Sequence, residues 1–326
     1  MLLRVLSADD VRQALPMTDA IEAMRGAFMA LATGRAALPQ RIVLRLPAHD
    51  AVSLFMPARV EGALGAKIIS VFPGNARRGL PLVHGMVALL DDETGRPTAL
   101  LDGGALTAIR TGAASGLATR LLADPDADRV AIIGAGAQAR TQLEAVCAVR
   151  RVRAVTVYSR TEASAERFAS EMAGRREVPD RVEVAESAAA AAKDADIICV
   201  ATSSLEPVLM RGEAPDGAHI NAVGSFTSEM IELDPELVAE CRVVVDQREA
   251  ALAEAGEIIA AIEAGLMKGT DLAELGDIVA GGLPQRTEIA QPTLFKSVGL
   301  AVQDMCAAAA ALERARQEGL GQEVEL

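Results

Sequence analysis

Short apolar runs separated by turn residues dominate the first 124 residues of the chain. One longer stretch, Ala20 to Leu31, has apolar residues at helical spacing and follows the capping pair Thr18-Asp19. Four runs have the length and composition of strands, with turns such as Pro73-Gly74-Asn75 between them: 41–46, 51–56, 66–72 and 85–90. For residues 1–124 we predict an antiparallel sheet with one or two flanking helices.

From Arg129 onward, apolar strands alternate with helical segments. Helices are predicted from about Gln138 and Glu162, and the runs that read as strands are VAIIG, VTVYS, VEVAE, IICVA, INAVG and VVVD. This alternation is typical of right-handed crossovers and a parallel sheet that is covered on both faces. We therefore predict an α/β fold with a doubly wound (Rossmann) domain over residues 125–292, beginning at the turn Asp124-Pro125-Asp126.

The last segment, Thr293 to Gly319, has a helical pattern and follows Gln291-Pro292. We expect a helix there, and we expect residues 293–326 to join the α+β domain that residues 1–124 form.

A glycine-rich loop opens the second domain. Gly134 and Gly136 follow the strand Val130 to Ile133, and with Ala139 they give the spacing GxGxxA at the start of a helix. The first glycine permits the turn, the second lets a pyrophosphate approach the backbone, and the small third residue packs helix against strand. Amide groups at the helix N-terminus then face the phosphates. The loop predicts a dinucleotide site that includes Ala137 and Gln138.

The end of the second strand indicates which dinucleotide is bound. Val155 to Tyr158 is followed by Ser159, Arg160 and Thr161, where an NAD-preferring fold carries an acidic residue for the ribose 2′-hydroxyl. Two hydroxyls and a guanidinium suit a 2′-phosphate instead. NADP(H) is therefore favoured and NAD(H) is possible, and the same three residues could also cap the next helix.

Other cofactor candidates lie at the carboxyl ends of later strands. Ligands in open parallel sheets bind in the crevice at that edge. We expect this crevice to hold the nicotinamide ribose, with Thr111 as a further cofactor-binding candidate and with these residues as its lining: Thr202, Ser203, Val223 and Gly224.

Composition narrows the class of protein. The chain has 326 residues, 51% of them hydrophobic, with a net charge of −13, and we expect two folded domains. An acidic protein lacks the basic surface that nucleic acid or anionic lipid requires. No apolar stretch approaches the roughly 20 residues that span a bilayer, and the N-terminus does not resemble a signal peptide. We therefore expect a cytoplasmic protein with a small-molecule partner, without nucleic acid or membrane.

The cysteine pattern gives no sign of a metal site. Four cysteines lie far apart in apolar contexts, with no CxxC pair and no histidine nearby. We expect buried, unreactive thiols and no metal.

Four cationic side chains punctuate the apolar runs before the glycine-rich loop: Arg41, Lys67, His84 and Arg110. Lys67 lies within the strand LGAKIISVFPG, where an inward ammonium loses its solvation unless an anion meets it. Either Lys67 points outward, or it binds an anion. Taken singly, each cation is also compatible with a solvated surface group.

Eight motifs run in order along nearly the whole chain: PQR at 39–41, MPA at 56–58, AKIISVFPGN at 66–75, ALLDGGALTAIRTGAAS at 99–115, GAGAQAR at 134–140, INAVGS at 220–225, ELDPEL at 232–237 and LFKSVGLAVQD at 294–304. Together they resemble the ornithine cyclodeaminase and mu-crystallin family, and more closely its ketimine-reductase-like members than its true ornithine cyclodeaminases.

The resemblance implies a homodimeric NAD(P)-dependent enzyme whose outer domain binds an amino or imino acid and dimerises. Arg41, Lys67 and Arg110 match the family's substrate positions, where they hold the carboxylate and the lysine assists proton transfer. Guanidinium groups suit a planar carboxylate, and a desolvated lysine loses its proton readily. We expect these three side chains to converge inward opposite the reactive carbon of the nicotinamide. His84 matches a histidine of mu-crystallin-like members and is a further catalytic candidate.

The resemblance alone places Lys296 and Ser297 among the cofactor-binding residues.

One position departs from the family pattern. True ornithine cyclodeaminases have an aspartate after "INAV" that contacts the substrate's amino groups, and this chain has Phe226 there. A phenyl ring cannot accept a proton, although Glu229 or Asp234 could substitute if the loop shifted, and Asp234 reads as the cap of the next helix.

The departure favours hydride transfer to the α-carbon of an imine, giving an amino acid. The predicted substrate is a cyclic ketimine such as Δ1-pyrroline-2-carboxylate, which Phe226 helps to bind, or the imine of a 2-oxo acid. Two alternatives remain open: a cyclodeaminase-type lyase that converts ornithine to proline and ammonia with catalytic NAD, and a non-catalytic NADP-binding protein.

Overall fold

A computed structural model describes residues 2–325, which form two compact units. The first contains residues 2–110 and 300–325, and the second contains residues 111–299. The boundary predicted from the sequence is the turn Asp124-Pro125-Asp126. In the structure the division falls earlier, between Arg110 and Thr111, inside a helix that runs from Gly103 to Leu122.

A mixed eight-stranded sheet forms the centre of the first unit. Its strands are β1 (Leu2–Leu6), β2 (Ala36–Ala37), β3 (Ile42–Leu46), β4 (Ala51–Val60), β5 (Ala63–Val71), β6 (Val83–Leu90), β7 (Pro97–Asp102) and β16 (Gln322–Glu325). The order is β16-β1-β7-β6-β5-β4-β2, with β3 also paired to β4. All neighbours are antiparallel except β1 and β7, so the predicted antiparallel sheet is largely confirmed.

Helices cover one face of this sheet. The helices of this unit are α1 (Ala8–Ala14), α2 (Met17–Ala32), α11 (Ala301–Glu318) and the first part of α3 (Gly103–Leu122), which continues into the second unit. Helix α11 packs against α2 and against β4, β5 and β6. Because strand side chains alternate between faces, β5 turns Ala63, Gly65, Lys67 and Ile69 toward the covered face.

The second unit is a doubly wound parallel sheet, as predicted. Its strands are β8 (Arg129–Ile133), β9 (Ala154–Tyr158), β10 (Val182–Val184), β11 (Ile197–Val200), β12 (His219–Ala222), β13 (Arg242–Val245), β14 (Ala273–Glu274) and β15 (Thr293–Lys296). The order is β10-β9-β8-β11-β12-β15-β13-β14, and every pair is parallel.

Apolar clusters lie on the two faces of this sheet. The helices of the unit are α4 (Ala137–Val149), α5 (Glu162–Met172), α6 (Ala188–Ala192), α7 (Pro235–Glu240), α8 (Arg248–Glu254), α9 (Gly256–Glu263) and α10 (Leu275–Val279).

The prediction of a helix over 293–319 was wrong for its first residues. Thr293–Lys296 forms strand β15, which is buried throughout between β12 and β13. A four-residue segment that is buried on both faces of a parallel sheet does not alternate in burial, so periodicity alone cannot distinguish it from helix. The helix begins at Ala301, and residues 300–325 lie in the first unit.

None of the helices within residues 2–325 combines the length and the apolar character that a bilayer crossing requires. In the same stretch, no three His, Cys, Asp or Glu side chains are grouped so that they could hold a metal ion. Cys147, Cys199 and Cys241 are buried free thiols and Cys306 is a partly buried one. Burial raises the pKa of each of these thiols to about 12, so they are poor nucleophiles.

Candidate active site

Lys67 points inward, and an anion meets it. Its side chain is 2% exposed, and its Nζ lies 2.7 Å from Oδ2 of Asp304. The alternation of β5 turns the lysine to the face that α11 covers, and Asp304 lies in the first turn of α11. The cation within the strand is therefore buried as one half of an ion pair.

Asp304 also holds Arg110. The carboxylate is 0% exposed and accepts a hydrogen bond from Arg110 Nε at 3.0 Å. The neighbouring Gln303 accepts from Arg110 Nη1 through Oε1, also at 3.0 Å. One carboxylate thus fixes two of the predicted substrate-binding cations.

The sequence reasoning missed Asp304. It is a lone carboxylate at the start of an alanine-rich helix, and an acid in a first turn reads as a solvated group that favours the helix dipole. The available signal was the buried cation itself, because an inward Lys67 requires an anionic partner somewhere in the chain.

The pKa of Lys67 is lowered to about 8. Burial is the main cause, because it disfavours the charged ammonium. The Asp304 carboxylate opposes the shift, whereas the positive charges of Arg110 and Arg41 add to it. The ammonium is therefore mostly charged at neutral pH and gives up its proton more easily than a solvated lysine.

Arg41 belongs to the same electrostatic cluster, since its charge acts on Lys67. It lies partly buried, just before β3. Asp304 thus pairs with two cations, Lys67 and Arg110, and the charge of Arg41 adds to the positive potential at Lys67. Such a cluster suits a carboxylate ligand.

His84 is not part of this cluster. It pairs with Ser70 in the register of β5 and β6, whereas Lys67 pairs with Val87. Residues directly opposite each other share a face and faces alternate along the strand, so His84 lies on the face opposite to that of Lys67. Its side chain is exposed.

The glycine-rich loop has the geometry of a pyrophosphate site. Gly134 follows β8 with φ of 106°, a conformation that L side chains rarely adopt. Gly136 is the N-cap of α4, and a Cβ placed on it would meet no atom within 4 Å. Ala137 is exposed and Gln138 is partly buried in the first turn. Open space at the N-terminus of α4 fits the phosphates of a dinucleotide.

Arg140 stabilises this loop through hydrogen bonds to its backbone. Its Nη1 donates to the carbonyls of Ala135 at 2.8 Å and Gly136 at 2.9 Å. The guanidinium lies 5.5 Å from the ring centroid of Phe168 and pairs with Glu171. The loop is therefore held in shape without a ligand, and the motif GAGAQAR includes a support residue that sequence reasoning did not single out.

The three residues after β9 are available to a ligand. Ser159 is partly buried, and Arg160 and Thr161 are exposed. Thr161 is the N-cap of α5, but its side chain makes no capping hydrogen bond. The hydroxyl of Thr161 is therefore not used by the helix.

The remaining cofactor candidates follow the predicted strands. Thr202 and Gly224 are partly buried after β11 and β12, Ser203 is exposed, and Val223 is buried, as is Thr111 in α3.

Lys296 and Ser297, at the end of β15, are committed to protein partners. Lys296 is fully buried, pairs with Glu257 at 2.9 Å and donates to the carbonyl oxygen of Ser225 at 2.8 Å. Ser297 donates to Asp246 at 2.9 Å.

Phe226 is partly buried in the loop after β12. Asp234 is the N-cap of α7 and accepts from Glu236 N at 3.0 Å, as its position before Pro235 predicted.

Comparison with known proteins identifies the family. Residues 3–319 match the Ornithine cyclodeaminase/mu-crystallin family. The Δ1-pyrroline-2-carboxylate reductase of Bacillus cereus is 40% identical over 325 residues, covering 98% of this chain and 99% of that protein.

Two solved structures are similar over almost the full length. That of Thermococcus litoralis Δ1-pyrroline-2-carboxylate reductase in complex with NADH and L-proline has a TM-score of 0.95 and 41% identity, covering 99% of this chain and 100% of that one. An archaeal alanine dehydrogenase dimer with bound NAD has a TM-score of 0.93 and 32% identity, with full coverage of both chains. These matches confirm the resemblance noted in the motifs: the chain belongs to the ornithine cyclodeaminase/mu-crystallin family.

Proposed function

We propose that this protein is an NAD(P)H-dependent reductase of a small imino acid, such as Δ1-pyrroline-2-carboxylate or the imine of a 2-oxo acid. The observation that carries the proposal is the buried cluster in which Asp304 holds Lys67 and Arg110. Relatives of similar length are named as reductases of this substrate class.

The cluster can bind the substrate carboxylate. Asp304 and Gln303 occupy Nε and one N–H of Nη1 of Arg110, so the guanidinium donors that remain are at its terminal nitrogens. Arg41 adds a second guanidinium. Charge-assisted hydrogen bonds from both would fix the carboxylate and orient the adjacent α-carbon.

Lys67 supplies the proton. The Gly134–Ala139 loop would hold a reduced nicotinamide cofactor, which would supply a hydride to the α-carbon of the imine. The imine π bond then breaks, its electron pair stays on nitrogen, and Lys67 Nζ donates a proton to that nitrogen. A lysine with a pKa of about 8 is suited to this role near neutral pH, because it holds its proton but releases it readily.

Phe226 favours reduction over cyclodeamination. The ring stands where true ornithine cyclodeaminases carry an aspartate, and Asp234 is already committed to capping α7. A phenyl ring cannot pair with the second amino group of ornithine, whereas it can pack against an apolar substrate ring.

The assay for the proposed function uses the purified protein with NADPH or NADH. We expect oxidation of the cofactor with Δ1-pyrroline-2-carboxylate or with pyruvate and ammonia. The Lys67→Ala variant should not oxidise the cofactor with either substrate. No cofactor oxidation with any imine of either kind would overturn the proposal. Ammonia release from ornithine with catalytic NAD would establish the lyase instead.

We further propose that NADP(H) is preferred. The support is the exposed Arg160 between two hydroxyl residues after β9. Replacing Arg160 with Ala should raise the Kd of NADPH roughly 10- to 100-fold, because a charge-assisted hydrogen bond is lost, with little change for NADH. Arg167→Ala, which replaces an exposed arginine of the following helix α5, serves as the control in titrations followed by fluorescence. Equal losses for both cofactors would contradict the preference.

A homodimer is the proposed assembly. Four apolar side chains form a row across β3, β4, β5 and β6 on the face that α11 does not cover, each opposite the next: Ile42, Phe55, Ile68 and Met86. Ile42 is 63% exposed and Met86 is 45% exposed. A partly exposed apolar sheet face favours burial against a partner, and a similar alanine dehydrogenase is a dimer.

A further inference from the structure

A buried carboxylate ties together two loops at the carboxyl edge of the parallel sheet. Glu232 is 0% exposed. Its Oε1 accepts from Thr202 N at 2.6 Å and Thr202 Oγ1 at 2.9 Å, and its Oε2 accepts from Gly224 N at 2.7 Å and Ser225 N at 2.9 Å. Each carboxylate oxygen therefore serves one loop, after β11 and β12 respectively.

The two loops approach too closely for a side chain at Gly224. A Cβ placed there would overlap the backbone of Thr202 and the carboxylate of Glu232. The contact between the loops is thus backbone to backbone, with Glu232 filling the hydrogen-bonding needs of both. Because both loops are hydrogen-bonded to the same carboxylate, their distance from each other is fixed.

A second buried group supports the same loop. Lys296 Nζ donates to the carbonyl and hydroxyl oxygens of Ser225, and pairs with Glu257, which also accepts from Ser225 Oγ at 2.7 Å. Burial raises the pKa of Glu232, and the nearby Lys296 opposes this shift. Ser225 is therefore held through its backbone N–H by Glu232 and through its other polar groups by Lys296 and Glu257.

We propose that Glu232 is a positioning residue for the nicotinamide half of the cofactor, which it serves by holding the Thr202 and Gly224 loops in their binding conformation before the cofactor arrives. The inference rests on the proposed dinucleotide-dependent function. The adenosine half is assigned to other elements, the Gly134–Ala139 loop and Arg160, and none of the hydrogen bonds of the Glu232 side chain reaches them. Loss of Glu232 should therefore weaken binding of the nicotinamide half of the cofactor and leave binding of the adenosine half unchanged.

The test compares NADH with ADP in Glu232→Gln. A glutamine has one accepting oxygen and one donating NH2, so it can serve one loop but sets donor against donor at the other. We expect the Kd of NADH to rise tenfold or more while the Kd of ADP stays within twofold, measured by calorimetry on protein that circular dichroism shows to be folded. Glu232→Asp, whose shorter side chain cannot span both loops, should act in the same direction.

Asp196→Asn is the matched control. Asp196 is also a carboxylate that accepts from two backbone amides, Asp128 N at 3.0 Å and Arg129 N at 2.9 Å, but at the opposite, amino-terminal edge of the sheet. It should lower the melting temperature without changing the ratio of the NADH and ADP dissociation constants. A Glu232→Gln variant with equal losses for NADH and ADP, or with unchanged NADH affinity, would overturn the inference.

Wild-type protein gives a second test that needs no variant. If the loops are held before binding, the amides of Thr202, Gly224 and Ser225 exchange slowly with deuterium in the absence of cofactor. Unprotected exchange at these amides would overturn the inference even if neither Glu232 variant folds. Failure of wild-type protein to bind NADH or NADPH at all would instead overturn the proposed function.

Discussion

At the scale of single residues, the pairing of Lys67 with Asp304 explains how a lysine can lie in the interior. An uncompensated buried charge is strongly unfavourable, and removing one partner of such a pair typically destabilises a protein by about 3–5 kcal/mol. Asp304 is shared with Arg110, so a single carboxylate offsets the burial of two cations. The pKa of Lys67 in this pair is about 8, so the ammonium holds its proton at neutral pH but gives it up more readily than a solvated lysine does. This property suits an acid catalyst.

The carboxylate should set the pH dependence of the reaction. If Lys67 is the proton donor, as proposed, it must be charged, so we expect kcat/KM for imine reduction to fall as the pH rises through its pKa, about 8 in the free enzyme. In Asp304→Asn, burial, Arg41 and Arg110 still lower that pKa and nothing opposes them. We expect the alkaline limb to move to lower pH by about 1–3 units.

The pH profile of kcat/KM from pH 5 to 10 measures this shift. Glu318→Gln, an exposed acid on the same helix α11, should leave the profile as in the wild type. An alkaline limb in Asp304→Asn that stays in place or moves upward would show that Asp304 does not hold the charge of Lys67.

Sequence reasoning singled out Lys67 by its place in an apolar strand and Arg110 through the family resemblance, but it did not find their partner Asp304. A cation within an apolar strand is conspicuous, whereas an acid in the first turn of a helix is common and ordinarily solvated. The position of His84 could not be predicted for a different reason. The face of the sheet on which it lies depends on the pairing register of β6 with β5, and a shift of one residue in that register reverses the face.

At the scale of secondary structure elements, the two glycines in the turn from β8 into α4 serve different purposes, one in folding and the other in binding. Gly134 is required by its positive φ, whereas Gly136 has an extended backbone and open space around it. Gly136→Ala should therefore fold normally, with stability unchanged or raised by about 0.4–1 kcal/mol through the unfolded state. The added methyl occupies the space that the pyrophosphate needs, so NADH binding should be lost.

Thermal melting and NADH titration together check this prediction. Gly26→Ala, at a glycine of α2 that is equally open, should retain both stability and binding. A Gly136→Ala protein that binds NADH with wild-type affinity would exclude the loop as the phosphate site.

The elements with strong local patterns were predictable and the others were not. The strands from β8 to β13 are apolar runs bounded by turns, and their order along the chain implies the parallel sheet. The short strands β14 and β16 carry no such pattern, and β15 precedes a long alanine-rich stretch whose helical signal extends over it. Their pairing with distant strands, rather than their own residues, makes them strands.

At the scale of the whole molecule, the apolar row on the first unit should control assembly. Met86→Glu places a carboxylate in the middle of this face, where burial against a second copy would leave it without a partner. We expect the variant to be monomeric and folded, because Met86 is half-exposed in the single chain. Wild-type protein should have twice the 33.9 kDa of one chain.

Light scattering after size exclusion measures these masses. Ile289→Glu, which replaces an exposed apolar residue of the second unit, should remain dimeric. A Met86→Glu protein with the wild-type mass would place the interface elsewhere.

The return of α11 to the first unit determines when the cluster around Lys67 can form. Residues 111–299 are contiguous in the chain, but Arg110 pairs with a residue 194 positions further along. Until that residue is made, the nascent sheet lacks its covering helix, and Lys67 has no counter-ion. Such distant closure is slow and leaves apolar surface open to aggregation, so the cluster of Lys67, Arg110 and Asp304 forms only after the whole of the second unit has been synthesised.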